Sequence, residues 1–173
     1  MAETLTTLKT RRSCRAYKPE LIEEEKLNLI IEAGTYAATG MGKQSPIIIA
    51  VTNKEMRDKL SRMNAAVMGT SIDPFYGAPE LLIVLADKSV PTYIYDGSLV
   101  MGNMMNAAAD LGVASCWIHR AKEEFDSPEG KEILRSLGIE GDYEGIGHLV
   151  LGYEAAPVSA PAARKSDYVY RIQ

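Results

Sequence analysis

The sequence predicts a single α+β domain, a buried sheet flanked by helices. Three observations predict it. Four short apolar runs, at 47–51, 81–86, 113–118 and 147–152, have the length and composition of buried strands. Segments between them repeat apolar residues at helical spacing. The chain has 173 residues, 46% hydrophobic and 24% charged, which suits one domain with a sizeable core.

Leu5 and Leu8 indicate a short first helix ending near Arg11. From Glu23, the residues Leu27, Ile30, Ile31, Gly34, Ala37 and Ala38 fall on one helical face. That helix runs into Ala38-Thr39-Gly40-Met41-Gly42-Lys43-Gln44-Ser45-Pro46. The loop suggests a phosphate cradle, but a Walker A loop needs G-x-x-x-x-G-K-[ST] between a strand and a helix. Here the glycines are two apart, Gln44 follows the lysine, and the order is helix then strand, so the Walker A reading fails on spacing and on context and what remains is a glycine-rich helix-to-strand loop. Ile47 to Val51 is the first strand. Met56, Leu60, Met63 and Val67 mark the next helix, and 68–79 reads as a loop rich in turn formers, with Phe75 and Tyr76.

Leu81 to Ala86 is the second strand. The segment Ser98–Leu111 is apolar or small on most faces, so its helix is expected inside the core or at an interface. Gly112 stops it, and Val113 to Ile118 is the third strand. Ser127-Pro128 opens a helix with a capping serine and proline at the first position, ending at Leu137-Gly138. Gly147 to Gly152 is the fourth strand. Residues 155–163 read as an extended linker, and Tyr168-Val169-Tyr170-Arg171-Ile172 as a terminal strand. An isolated strand is unstable, so it is either a frayed end or an addition to a sheet edge, in its own subunit or a partner. Residues 1–173 are thus expected to form one domain, with 155–173 as a C-terminal arm.

A net charge of −4 and a pI near 5.3 argue against nucleic-acid binding. No apolar stretch reaches membrane-spanning length, and no basic-then-apolar leader opens the chain. Two cysteines, Cys14 and Cys116, provide neither a disulfide framework nor a C-x-x-C ligand pair, so a reducing, cytoplasmic setting is expected and no metal. No Ser-His-Asp, Cys-His or paired-carboxylate arrangement stands out. His148 lies in an apolar strand and is expected to be structural, and Cys116 is expected in the core.

Two basic groups invite a role. Arg11, Arg12 and Arg15, with Ser13, offer guanidinium forks and a hydroxyl suited to phosphate. Equally, they could cap the first helix. Arg164 and Lys165 form a second pair in the tail, which is either solvated or the other half of a clamp.

At these residues the chain resembles the nitroreductase family of flavin oxidoreductases. The resemblance rests on an ordered set: Arg-Arg-Ser-x-Arg-x-Tyr at 11–17 with Pro19, the small-residue loop with Gln44 and Pro46, and Asp96-Gly97-Ser98 opening a Met/Ala-rich helix. Leu111-Gly112, Cys116-Trp117-Ile118 and Gly147 to Tyr153 complete it. It implies a three-layer α/β/α fold with a mixed, mainly antiparallel sheet, and a C-terminal strand exchanged with the partner of a homodimer.

It further implies FMN at the subunit interface, with NADH or NADPH as co-substrate and a small electron-poor acceptor such as a nitroaromatic or quinone. By the same resemblance, Arg11, Arg12, Ser13, Arg15, Arg164 and Lys165 hold the phosphate and part of the flavin. Thr39, Gly40 and Met41 pack against the flavin of the other subunit, with Gln44 nearby. Trp117, Ile118 and His119 lie beside the flavin face, and Asn64 meets its pyrimidine edge. Many members have asparagine where this chain has Gly42, so one side-chain contact is missing. A flavin-storage protein without nicotinamide-dependent turnover is the alternative. Phe75 and Tyr76 either stack over a substrate or pack the 68–79 loop.

Overall fold

The computed structural model describes residues 3–173. In chain order the elements are α1 (Glu3–Thr10), α2 (Glu24–Thr35), a 3-10 turn (Gly40–Gly42), β1 (Pro46–Val51), α3 (Lys54–Met68) and β2 (Glu80–Asp87). These are followed by α4 (Tyr93–Asp110), β3 (Ala114–Ile118), α5 (Ala121–Asp126), α6 (Pro128–Ser136) and β4 (Tyr143–Gly152). The four strands form one sheet in the order β1-β2-β4-β3, antiparallel at each pairing. A parallel bridge between Ser13 and Ser115 supplies its mixed character.

Side-chain alternation divides the core between two faces of the sheet. Leu81, Ile83 and Leu85 of β2 join Leu60, Phe75, Phe125, Ile133 and Leu134 under α3, α5 and α6. Leu82 and Val84 join Ile30, Met101, Met104, Leu149 and Leu151 under α2 and α4. Three layers result, as expected.

Boundaries differ where the sequence pattern is weak. Helix α4 begins at Tyr93 rather than Ser98, because the aromatic residues of its first turn mask the helical period. Strand β4 begins at Tyr143, ahead of a bulge that leaves Ile146 unpaired between Gly145 and Gly147. Helix α5, six residues long, is too short to show a period. The expected strand at 168–172 does not form within its own chain; Tyr168, Val169, Tyr170 and Ile172 are exposed. The outer edge of β3 carries the 13–14 segment, whereas β1 ends the sheet on the other side with no further strand among the described residues. Among the described residues no helix is long and apolar enough to cross a membrane.

Candidate functional site

The arginine motif lies as a strap along β3 and the exit of β4. Cys14 N–H donates to the Ser115 carbonyl (3.0 Å), Lys18 N–H to that of Tyr153 (2.8 Å), and Ala155 N–H to that of Ala16 (2.9 Å). Cys14 and Tyr17 point inward, the Tyr17 hydroxyl donating to the Cys14 carbonyl at 3.0 Å. Burial, aided by the neighbouring thiols, pushes the Tyr17 phenol well above its ordinary range. Burial likewise pushes up the Cys116 thiol, which fits the expected inert core cysteine.

The alternation leaves Ser13 half-buried and Arg15 exposed. Arg12 caps α1, its guanidinium donating to the Lys9 carbonyl (2.9 Å) and to that of Arg11, so the capping reading accounts for part of its role. Two donors have no such role: Arg11 Nη1 and Arg12 Nε are buried without a partner. Both residues line a cavity of about 250 Å³ with Thr10, Gly112, Ala114 and Glu154. Arg164 and Lys165 stand on the exposed tail, Lys165 5.5 Å from the Tyr168 ring centroid, and no hydrogen bond joins either to the strap.

The 39–45 loop is held by Asp96, a buried carboxylate in the first turn of α4. Its Oδ1 accepts from Gly40 N–H (2.9 Å), and its Oδ2 from the hydroxyls of Ser45 (2.7 Å) and Thr92 (3.1 Å). Burial raises its pKa, but these three donors outweigh that and hold it below the ordinary carboxylate range. The glycine at 40 is required by Thr92, whose Oγ1 would lie 2.2 Å from an added Cβ. Met41 and Gln44 both adopt positive φ, 54° and 50°, and both are exposed. Thr39 Oγ1 closes the loop by accepting from Gln44 N–H at 3.1 Å. Gly42 has open space where a side chain would stand.

At the end of β3, Ile118 faces the core, and Trp117 turns to the opposite face. The Trp117 indole lies so close to Gly147 that a Cβ there would meet Nε1 at 2.3 Å. His119 is exposed, its ring centroid 5.9 Å from that of Trp117. Asn64 is corrected. It is fully buried, its Nδ2 donates to the His119 carbonyl and to Glu124 Oε2 (both 2.8 Å), and its Oδ1 accepts from Arg120 Nε (2.8 Å). Its amide is therefore spent on bonds within the chain and presents no exposed edge, contrary to the expectation that it meets a pyrimidine edge. His148 is structural as expected, buried against Phe75 and Phe125 with its Nε2 on Glu124.

Phe75 is likewise core, which favours packing over substrate stacking, while Tyr76 beside it points outward at φ 56°. Their loop is fastened by Asp73. Burial raises the Asp73 pKa, but bonds from Arg57, Ser61 and two backbone amides hold its carboxyl below the usual range.

The structure thus groups Arg11, Arg12, Ser13 and Arg15 on one strap beside β3, with Trp117 and Ile118 farther along that strand and His119 just past its end. It puts Thr39, Gly40, Met41 and Gln44 at β1, the opposite edge of the sheet. Three strand spacings, about 14 Å, separate the two edges. Sequence reading missed Arg120 and the pinning role of Asp96; nothing local signals that Asp96 meets a loop 56 residues earlier.

The Nitroreductase family profile matches residues 8–80. A candidate NADH dehydrogenase/NAD(P)H nitroreductase of Archaeoglobus fulgidus is 31% identical over 159 residues, covering 88% of this chain and 86% of the relative. Among solved structures, an FMN-bound nitroreductase from Bacteroides fragilis superposes with TM-score 0.91 at 31% identity, with full coverage of both chains. An FMN-bound nitroreductase from Desulfitobacterium hafniense gives TM-score 0.89 at 26% identity, again over both full chains.

Proposed function

Because the chain belongs to the nitroreductase family, we propose that it is an FMN-dependent oxidoreductase. It takes hydride from NADH or NADPH and delivers it to electron-poor acceptors such as nitroaromatics and quinones. The observation that carries this reading is the pair of buried, unpartnered guanidinium nitrogens, Arg11 Nη1 and Arg12 Nε, on two residues that line one small cavity. Buried charged donors without acceptors are costly, and a phosphate oxygen satisfies them. These residues fit the phosphate end of FMN, as Ser13 does, with Arg15 beside them. When bound, FMN supplies the hydride chemistry.

The protein's part is to hold, orient and shield. The strap fixes the anion, the end of β3 presents Trp117, Ile118 and His119, and the Asp96-pinned loop presents Thr39, Gly40, Met41 and Gln44. A loop and a strap at opposite sheet edges suit a homodimer in which each flavin meets the strap of one copy and the loop of the other. The unpaired β1 edge and the exposed Tyr168–Ile172 segment support an exchanged tail, which would carry Arg164 and Lys165 toward the phosphate.

The test is the absorbance spectrum of FMN-loaded protein, taken before and after anaerobic NADH or NADPH, followed by steady-state assays with menadione and nitrobenzene. Bleaching of the flavin bands and acceptor-dependent NAD(P)H oxidation are expected. A flavin that binds yet resists both nicotinamides would instead mark a storage protein.

A further inference from the structure

We propose that Arg120 forms an anion subsite for the electron acceptor, favouring aromatic acceptors that carry a carboxylate over neutral ones. The inference rests on the flavin-oxidoreductase reading above. Three observations carry it.

The first is backbone conformation. Arg120 has φ 79° and ψ 5°, in the left-handed region that glycine occupies at least cost. An arginine there is strained, so the fold keeps a long cationic side chain at a position that disfavours one.

The second is its tether. Arg120 Nε donates to Asn64 Oδ1, and Asn64 is itself locked by the His119 carbonyl and Glu124. The guanidinium is thereby held beside the His119 backbone, at the end of β3 where the acceptor would approach.

The third is what the tether leaves over. A guanidinium has five N–H donors, and this one spends a single donor on Asn64. Among the described residues no acceptor bonds its Nη1 or Nη2, and neither atom is buried. Arg57, by contrast, is fully engaged by Asp73, Asp58 and the Ala78 carbonyl. Glu124, the carboxylate of this network, bonds His148 and Asn64 through Oε2, its Oε1 is buried without a partner, and no ion pair joins it to Arg120 among the described residues. A fixed fork with its outer nitrogens free is the geometry that receives a carboxylate bidentately.

The test uses the FMN-loaded full chain. Benzoate and benzamide, neither of them reducible, are titrated against the visible flavin spectrum. The kcat/KM ratio of 4-nitrobenzoate to 4-nitrobenzamide is measured with NADH, and NADH and NADPH are compared as donors. Wild type is expected to favour the anion in both assays. Arg120→Gln should lower that preference about fivefold to tenfold, as expected for one charge-assisted contact at a half-exposed site. Arg120→Lys should retain part of it.

An unchanged anion-to-neutral ratio in Arg120→Gln overturns the proposal. So does a change confined to the NADPH-to-NADH ratio, which would assign the arginine to the donor's phosphate. A wild-type protein that binds no FMN, or binds it and passes no electrons even to menadione, overturns the oxidoreductase reading itself, and the subsite with it.

Discussion

Replacing Asp96 with alanine tests how the loop at β1 is held. The carboxylate is 2% exposed and accepts three hydrogen bonds, from Gly40 N–H, Ser45 and Thr92. Hydrogen bonds to a charged acceptor contribute about 1.5–3 kcal/mol each, and a buried donor left without one costs about 1–3 kcal/mol. Gly40 and Thr92 are half-buried and can turn to water, whereas the Ser45 hydroxyl is buried and cannot. The net loss for Asp96→Ala is therefore about 3 kcal/mol, below the simple sum. For a domain of this size that lowers Tm by about 6–12 °C.

Asp96→Asn should cost only about 1 kcal/mol, because one oxygen still accepts from Gly40 and the two hydroxyls can rotate to accept from the amide. Urea unfolding followed by circular dichroism measures both. The sign of the pH dependence follows from the depressed folded-state pKa of Asp96. Its stabilisation is complete above the unfolded value of about 3.9 and is lost as pH falls through the lower folded value. The wild-type advantage over Asp96→Ala should hold steady from about pH 6 to 8 and shrink below about pH 4. A cost under about 1 kcal/mol for alanine, or equal costs for alanine and asparagine, would refute the reasoning.

Arg11→Ala should weaken FMN binding about tenfold or more, the loss of a charge-assisted contact; unchanged affinity would move the phosphate elsewhere. Gly147→Ala should displace the only tryptophan, Trp117, costing about 1–3 kcal/mol and shifting its fluorescence; a wild-type spectrum and stability would show that the indole is not confined. Deleting residues 164–173 should weaken the dimer in analytical ultracentrifugation across a dilution series, and a truncated chain as tightly dimeric as wild type would count against tail exchange.

The four strands were legible because a central strand such as β2, buried along nearly its whole length, needs an unbroken apolar run. Helix α6 was legible from its Ser127-Pro128 start, and Ser127 does cap it by accepting from Gly130 N–H at 3.1 Å. The arginine strap was recognisable by composition, but the stranding of one nitrogen on each of two arginines is a tertiary fact. Asn64 shows the limit from the other side. A polar residue on an amphipathic helix looks available, yet it lies inward because Arg120, His119 and Glu124 converge on it from 55 to 60 residues away. The terminal strand pattern was visible, yet 168–172 pairs with no strand among the described residues, because a strand forms only against a neighbour that the local sequence does not specify.

The bare outer edge of β1 has a consequence for handling the protein. Ile47, Ile48 and Ile49 are only partly covered, and the strand's outward backbone groups have no neighbouring strand in the sheet. Such an edge is a template for indiscriminate β-pairing and aggregation. If a neighbour's tail is its natural cover, shielding becomes a second-order process that fails on dilution. Newly made chains would then be most vulnerable before they meet a mate. Shortened tails would reduce soluble yield sooner than they reduce catalysis.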